Sequence, residues 1–179
     1  NDFPTVEEGP GSLTFNLPQA KLRRLIERTS FAMAQQDVRY YLNGLLFDLG
    51  DTRLRCVATD GHRLARIDAP LPEGAEAMPG VIVPRKTVAE LRKLLDDGDT
   101  DIAVSVSETK VRFATPTLTL TSKVIDGTFP DYSRVIPLNN ARKLEVDASD
   151  FVRAVDRVAT VSSERSRAVK LSLDQDRLI

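Results

Sequence analysis

The sequence predicts an α+β fold made of two β-α-β-β-β halves, with the helices on one side of antiparallel sheets. Three patterns lead to this prediction: apolar residues at helical spacing, alternating strand segments joined by short turns, and a strand–helix opening that occurs twice. The opening lies at 12–32 and again at 141–161. A repeat this far apart is a whole domain rather than a solenoid unit. The chain is therefore expected to hold one complete domain and the beginning of a second.

Three helices are predicted from apolar residues at i, i+3, i+4 and i+7. They lie near 18–34, 84–95 and 150–167. One side of the first helix carries Leu22, Leu25, Ile26 and Thr29, and one side of the third carries Phe151, Val152, Val155, Val158 and Ala159. The second helix is predicted to bury the stripe Val88, Leu91 and Leu95. Pro18 and Pro84 stand at the starts of the first two helices, where the missing N–H of proline is harmless. Ser149 is expected to cap the third helix.

Strands fill most of the remainder, because apolar and polar residues alternate there. They are predicted at 13–17, 42–49, 52–59 and 62–68 in the first half, and at 81–83, 101–106, 110–114 and 117–123 in the second. Turns are predicted at Gly50-Asp51 and Asp60-Gly61, since such pairs favour hairpins. Cys56 falls within a strand and is predicted to be a buried, unreactive thiol.

Domain bounds follow from the repeat and from composition. Residues 1–10 are rich in proline, glycine and acid and are expected to be a linker, and residues 11–137 the complete domain. Residues 138–179 are expected to be a connector and the truncated start of the second copy. No apolar run approaches the ~20 residues that a membrane span needs. The single cysteine excludes an intrachain disulfide and fits a reducing cytosol.

The net charge of −1 conceals a segregation of charge. The predicted helices carry an excess of Lys and Arg, and the remainder carries an excess of Asp and Glu. Basic helices on an acidic body would attract a polyanion on one side. The alternative, that these are ordinary solvated helix faces, stays open on charge alone.

Asp60 and His62 are the only residues that suggest catalysis. An acid–base pair or a metal site could use them, but they flank a predicted hairpin turn and no second histidine exists to support a zinc site. A plain turn is the favoured interpretation. The chain also has no P-loop and no glycine-rich strand-to-helix turn for phosphate.

Residues 35–41, QQDVRYY, follow the first basic helix and could bind nucleic acid. Gln35, Gln36 and Arg39 can donate hydrogen bonds to phosphate, and Tyr40 and Tyr41 can stack on bases. The alternative is that one or both tyrosines pack in the core and Arg39 pairs with Asp37. Composition does not separate the two.

Four long strings together resemble the bacterial DNA polymerase III β subunit, the sliding clamp. They are FAMAQQDVRYYLNG at 31–44, VATDGHRLA at 57–65, VIVPRK at 81–86 and TSKVIDGTFPDYSRVIP at 121–137. The resemblance covers essentially the whole chain, from a linker leaving a missing first domain, through the second, into the third. It implies a DNA-clamp processivity fold, with three such domains per subunit and two subunits closed into a ring whose helices line the hole.

The resemblance also implies the function, which is to encircle duplex DNA and to tether polymerases. It implies no catalysis, no cofactor and no metal. The expected partners are non-specific double-stranded DNA, the DNA polymerase III catalytic subunit, the clamp loader, and other polymerases and repair proteins that bind through short linear motifs. The full-length protein is expected to form a homodimeric ring, this fragment to be mostly monomeric, and the location to be the cytoplasm at the nucleoid.

Matching the family position by position gives two candidate sites. The partner-peptide pocket is expected to use Leu42, Thr59, Gly61, His62, Arg63, Leu64, Pro130, Arg134 and Val135, and to be partial here. The DNA-facing positions are expected to be Gln36, Tyr40 and Tyr41, more loosely Arg85 and Lys86, and from the basic arc of the first helix Arg24 and Arg28. Two other hypotheses remain open: a peptide-binding scaffold that does not act on DNA, and a hydrolase that uses Asp60 and His62.

Overall fold

The structure is a computed structural model that describes residues 12–50, 52–76, 78–162, 168–174 and 177–179. It divides into two compact units, Asn1–Tyr132 and Ser133–Ile179, which are described separately. The division falls a few residues before the boundary that the sequence predicts after 137. The predicted linker at 1–10 lies outside the described residues.

The first unit follows the predicted order of elements. Its first half contains β1 (Leu13–Pro18), α1 (Gln19–Glu27), β2 (Gly44–Gly50), β3 (Arg53–Thr59) and β4 (Leu64–Pro70). Its second half contains β5 (Val81–Pro84), α2 (Arg85–Leu94), β6 (Asp101–Val106), β7 (Lys110–Ala114) and β8 (Thr119–Lys123). Two 3-10 helices, Ser30–Ala32 and Tyr40–Leu42, lie between α1 and β2, and a third spans Tyr132–Val135.

The strands form two antiparallel sheets that exchange their opening strands. The first sheet has the order β1-β6-β7-β8 and the second has the order β4-β3-β2-β5. Thus β1 pairs with β6 of the other half, and β5 pairs with β2 of the other half. The predicted α+β fold of two β-α-β-β-β halves is confirmed, and the exchange is a feature that the sequence did not reveal.

Both helices bury their apolar stripes against the same core. Leu22, Leu25 and Ile26 of α1 and Val88 and Leu91 of α2 are almost fully buried, as the helical periodicity predicts. They pack with alternate residues from both sheets in one cluster. We call the helix-packed side of each sheet its inner face and the other side its outer face. The predicted placement of the helices on one side of the sheets is confirmed.

The first helix ends earlier than the predicted limit of 34. Arg28 is its C-cap, and Thr29 leaves the helical conformation with φ −127°. The hydroxyl of Thr29 donates to the carbonyl oxygen of Leu25 at 2.7 Å, so this buried polar group is satisfied within the turn. The chain then continues as the first 3-10 helix. Periodicity places the stripe correctly but does not mark this stop.

The strand predictions are correct in number, with shifts at the ends. Leu42 belongs to a 3-10 helix rather than to β2, and His62 lies in the turn before β4. Pro18 and Pro84 are the N-cap residues of α1 and α2. The sequence predicts Pro18 in the first turn, one position further on. The thiol of Cys56 is buried as predicted, and burial raises its pKa. Asp51, one half of the first predicted turn, lies outside the described residues.

The second unit contains α3 (Ala148–Ala159), β9 (Leu173–Asp174) and β10 (Arg177–Leu178). The helix exists as predicted, but its cap does not. Asp147 caps it by accepting the backbone N–H of Asp150 at 2.9 Å, while the hydroxyl of Ser149 donates to Asp147. The prediction of Ser149 as the cap is therefore wrong. The helix ends at Ala159, so the predicted continuation is wrong at 160–162, which form a turn, and 163–167 lie outside the described residues.

The apolar side of α3 is not buried within its own unit. Phe151 and Val155 are half-buried, and Val152 and Val158 are exposed. A depression of about 400 Å³ is lined by Phe151, Ala154, Val155, Val158, Val169, Lys170, Leu171, Leu178 and Ile179. The matching stripe of α1 is almost fully buried. The two copies of the repeat therefore share a sequence pattern, but the described residues bury only the stripe of α1.

Candidate functional site

The turn between β3 and β4 is a tightly hydrogen-bonded loop at the surface. The hydroxyl of Thr59 donates to the carbonyl oxygen of Arg63 at 2.7 Å and accepts the backbone N–H of Gly61 at 3.1 Å. Asp60 accepts the backbone N–H groups of His62 and Arg63 at 2.9 and 3.0 Å. Gly61 has φ +87°, a conformation that favours glycine. The predicted hairpin turn is therefore present, and these hydrogen bonds hold its backbone at the surface.

The carboxylate of Asp60 is committed to this turn. Besides the two backbone N–H groups it accepts Nε of Arg63 at 3.0 Å. These hydrogen bonds, the backbone N–H of Arg63 foremost, lower the pKa of Asp60. A carboxylate of lowered pKa is a poor general acid or base near neutral pH. Among the described residues, no group of three His, Cys, Asp or Glu side chains could hold a metal ion.

Two side chains from the preceding loops support the turn. Arg39 forms a two-pronged ion pair with Asp37, at 2.9 and 2.7 Å, and its guanidinium lies beside Gly61, about 3.0 Å from where a Cβ would stand. The guanidinium carbon of Arg63 lies 5.7 Å from the centre of the Phe31 ring. The hypothesis that Arg39 pairs with the nearby aspartate is thus correct. Phe31 and Arg39 are not among the predicted pocket residues, although both lie within the strings that carry the resemblance.

Leu64 stands at the start of β4 on the outer face of the second sheet. It is half-buried against a cluster of Leu46, Val57 and Ile82, separate from the main core. Phe129 packs on the same cluster, so Pro130, which is exposed, follows a residue anchored there. The first unit therefore places Leu64, which directly follows the turn at 59–63, and Phe129, which precedes Pro130, on one cluster of the outer face.

The remaining predicted pocket residues behave differently. Leu42 is only 2% exposed, so its side chain belongs to the core and offers little surface to a ligand. Arg134 and Val135 belong to the second unit, where Val135 is 69% exposed. Exposure leaves Val135 available for an apolar contact, whereas the burial of Leu42 contradicts its prediction as an apolar wall of the pocket.

The basic face of α1 contains paired and unpaired arginines. Arg23 contacts Glu27 at 3.2 Å and Asp97 at 3.1 Å, and Glu27 also lies 3.6 Å from Arg92 of α2. Arg24 and Arg28 are exposed, and neither has an ion-pair partner within the described part of the chain. These two guanidinium groups are therefore free to meet an anion in solvent. Arg23 instead helps to join the two helices.

At the start of α2, Arg85 and Lys86 occupy the first turn. Arg85 is half-buried and donates to the carbonyl oxygen of Met33 at 3.3 Å, whereas Lys86 is exposed. The N-terminal end of a helix is the positive end of its dipole and attracts anions. Basic side chains at this end add to that attraction. With α1 the two helices give the basic surface that the sequence predicts. Helix α3 carries Asp150 and Asp156 against Arg153 and Arg157, so it adds no net charge.

The loop at 35–43 presents polar and aromatic groups. Gln36 is exposed and Tyr40 is 56% exposed, while Tyr41 is half-buried and packs against the outer-face cluster. The two tyrosine rings meet edge to face at 5.8 Å. Tyr40 is thus placed at the surface as predicted for a contact residue, while Tyr41 combines a surface position with a packing role.

Comparisons with known proteins identify the class to which this fold belongs. The sequence matches the family model "DNA polymerase III beta subunit, central domain" over residues 16–131 and the model "DNA polymerase III beta subunit, C-terminal domain" over residues 133–179. The chain therefore belongs to the DNA polymerase III beta subunit family, which confirms the family that the sequence resembles.

Similar proteins include the beta sliding clamp of Caulobacter vibrioides, which is 50% identical over 99% of this chain and 49% of the relative. The beta sliding clamp of Escherichia coli K12 is 44% identical over 99% of this chain and 48% of the relative. The solved DnaN sliding clamp from Bartonella birtlesii, bound to griselimycin, superposes with a TM-score of 0.91 at 50% identity, over 98% of this chain and 48% of that one. The chain spans about half the length of these relatives.

Proposed function

We propose that this chain is part of a sliding clamp, a processivity factor that encircles duplex DNA and tethers replicative and repair polymerases through a peptide-binding pocket. The family match along the chain is the observation that carries the proposal, and the curated relatives bear the name beta sliding clamp. The protein acts by binding and not by catalysis, and it uses no cofactor. It works in the cytoplasm at the nucleoid. None of the described helices is long and apolar enough to cross a membrane.

The two basic helices supply the contact with duplex DNA. They lie on the inner face of both sheets, and exposed Arg24, Arg28 and Lys86 offer charge to phosphates without reading bases. Gln36, Tyr40 and Tyr41 add hydrogen-bonding and ring contacts from the next loop. Contacts of this type depend on salt and not on sequence, which suits a protein that must slide.

The outer face of the second sheet supplies the partner-peptide pocket. Leu64 and Pro130 give apolar surface, and the turn with Thr59, Gly61, His62 and Arg63 gives a rim of polar groups. An apolar cleft with a few well-placed donors is what a short linear motif needs. Leu42 is buried and offers little surface to a ligand, and Arg134 and Val135 of the second unit keep the pocket role that the resemblance implies. The ligands are motifs of the DNA polymerase III catalytic subunit, the clamp loader, and other polymerases and repair proteins.

The assembly that goes with this function is a head-to-tail ring of two full-length subunits. In it residues 11–137 are the second of three clamp domains, 138–179 begin the third, and 1–10 are the linker that precedes them. The 179-residue chain by itself is proposed to be mostly monomeric. Sedimentation that shows a stable closed dimer at micromolar concentration would contradict this assignment.

Charge reversal on α1 tests the DNA contact. We expect Arg24→Glu with Arg28→Glu to weaken binding of the chain to a short duplex. The slope of log affinity against log salt should become shallower by about one unit for each phosphate that the variant no longer neutralises. Fluorescence anisotropy over a salt series measures both quantities.

A matched control carries the same change of charge on the outer faces. Arg53 neighbours buried Leu54 in β3, and Lys123 neighbours Ser122, whose hydroxyl lies 2.7 Å from that of Thr87 in α2. Since successive strand residues point to opposite faces, Arg53 and Lys123 point away from the helices. Arg53→Glu with Lys123→Glu should leave the salt slope nearly unchanged. If both double variants weaken binding equally, the helices are not the DNA-contact surface.

A further inference from the structure

Tyr132 ties the end of the first unit to the middle of the second sheet. Its hydroxyl donates to Oδ2 of Asp48 in β2 at 2.7 Å, across 84 positions of sequence. Its ring meets that of Phe129 edge to face at 6.5 Å. Both rings pack on the outer-face cluster against which Leu64 also lies. The hydrogen bond to Asp48 and the packing of the Phe129 and Tyr132 rings on the cluster thus hold the short segment that contains Pro130.

A second contact holds the start of this segment at Ile125. The backbone N–H of Ile125 donates to the carbonyl oxygen of Ile82 at 2.8 Å, and Ile125 packs on the same cluster. Residues 125–132 therefore begin at β5, the edge strand of the second sheet, and reach β2 at Asp48. Between these points, Gly127, Thr128, Pro130 and Asp131 are exposed. Tyr132 is the last residue of the first unit.

Asp48 is itself held in place by a line of charges on the outer face. Arg55 of β3 lies 3.6 Å from Asp48 and 3.7 Å from Asp68 of β4, and Arg66 pairs with Asp68 at 2.6 Å. Asp48 thus lies in a line of charges, with the Tyr132 hydroxyl as its hydrogen-bond donor. Burial, together with the hydrogen bond to Asp48, raises the pKa of Tyr132, so the phenol stays protonated and remains a donor near neutral pH.

We infer that Tyr132 is a positioning residue for partner-peptide recognition, acting through its hydrogen bond to Asp48. The bond holds Phe129–Tyr132 against the sheet, so Pro130 is presented at a fixed place on the side of the sheet that carries Leu64. The 3-10 helix Tyr132–Val135 also starts at this anchored residue. The inference rests on the proposed pocket, and it assigns a role to two residues that need not touch the peptide.

The expected effect follows from population arithmetic. When the anchor is removed, the segment is in its binding-competent position for a smaller fraction of the time, and the apparent affinity falls by that fraction. A hydrogen bond of this kind contributes enough to change such a population roughly threefold to tenfold. The loss should appear in peptide affinity at temperatures well below unfolding.

The test is peptide affinity in a full-length clamp that carries this sequence, with a polymerase-derived tail peptide as the probe. Tyr132→Phe keeps the ring and removes only the hydroxyl, and it should weaken binding roughly threefold to tenfold. Asp48→Asn keeps an acceptor oxygen and should bind nearly as the parent does, whereas Asp48→Leu should match Tyr132→Phe. The double variant Tyr132→Phe with Asp48→Leu should be no weaker than either single variant.

A control separates positioning from general stability. Thr87→Val removes a hydrogen bond of the same length, 2.7 Å, between α2 and Ser122 of β8. It should lower the melting temperature about as much as Tyr132→Phe but leave peptide affinity unchanged. Without peptide, hydrogen exchange of the backbone N–H groups of Phe129, Asp131 and Tyr132 should be faster in Tyr132→Phe and unaltered in Thr87→Val.

The outcomes distinguish this inference from the function on which it rests. If Leu64→Ala weakens peptide binding and Tyr132→Phe does not, the positioning role is refuted and the pocket stands. Equal weakening in Tyr132→Phe and Thr87→Val likewise refutes positioning, because stability alone then explains the effect. If the parent protein does not bind the peptide, the proposed pocket falls and the inference falls with it.

Discussion

Truncation of Leu64 is the most direct perturbation of the proposed pocket. Its side chain is half-buried against Leu46, Val57 and Ile82, so part of its surface is already covered before any ligand arrives. Full burial of a leucine stabilises by about 1.5–3 kcal/mol. The portion left for a peptide to cover then corresponds to about 1–2 kcal/mol, which is roughly a fivefold to thirtyfold change in Kd.

Val135 gives an independent estimate of the same kind. At 69% exposure most of its smaller side chain is uncovered, so a peptide can bury nearly all of it. Val135→Ala should therefore cost about 1–2 kcal/mol of affinity as well. His62 is exposed at the rim of the turn, and His62→Ala should cost less than either change.

The assay is calorimetry with a polymerase-derived peptide on a full-length clamp that carries the sequence. Each variant needs a melting curve, since Leu64→Ala also removes contacts with the outer-face cluster and should lower stability somewhat. Unaltered affinity in both Leu64→Ala and Val135→Ala, with the fold retained, would refute the pocket. The turn at 59–64 would then be a plain hairpin.

Three further predictions concern groups whose environment is unusual. Hydrogen bonds from Arg39 lower the pKa of Asp37 from 3.8 to about 2. The ion pair should therefore be complete above about pH 4 and lost as the pH falls through about 2. NMR of the Asp37 carboxyl group should show this titration, and Arg39→Gln should return the pKa toward 3.8. Cys56 should resist alkylation in the native chain at about pH 8 and react on unfolding, and rapid native labelling would contradict its burial. Asp147→Ala should destabilise α3 and lower its helicity by circular dichroism, whereas Ser149→Ala should do less because Ser149 does not cap.

Periodicity predicts the helices and strands well because burial enforces it. The stripes Leu22, Leu25, Ile26 and Val88, Leu91 face one core, and any other rotation of the helices would expose them. Helix ends are harder to predict, since each depends on which of a few neighbouring side chains hydrogen-bonds to the backbone there. Thr29 bonds back to Leu25 and stops α1, and Asp147 outcompetes Ser149 as the cap of α3.

Long-range pairing is the part that a single sequence does not reveal. Local patterns cannot show that β1 pairs with β6 or that Tyr132 bonds to Asp48, because each pairing joins segments far apart in the chain. The candidate pocket shows the same limit. Resemblance identifies Leu42 and Leu64 together, but only the structure separates Leu42, which lies in the core, from Leu64, which keeps an open surface.

The exchange of opening strands makes the two halves of the first unit dependent on each other for folding. Without β5, the side of β2 that now pairs with β5 would be unpaired, and without β1 the same would hold for β6. Neither half is therefore a complete folding module, and the unit is expected to unfold in one cooperative transition. Cleavage within 71–80, between the halves, would yield two fragments with matching edges that reassemble without a covalent link. Strands exchanged in this way keep the protein's two sheets together even where the connecting loop is cut.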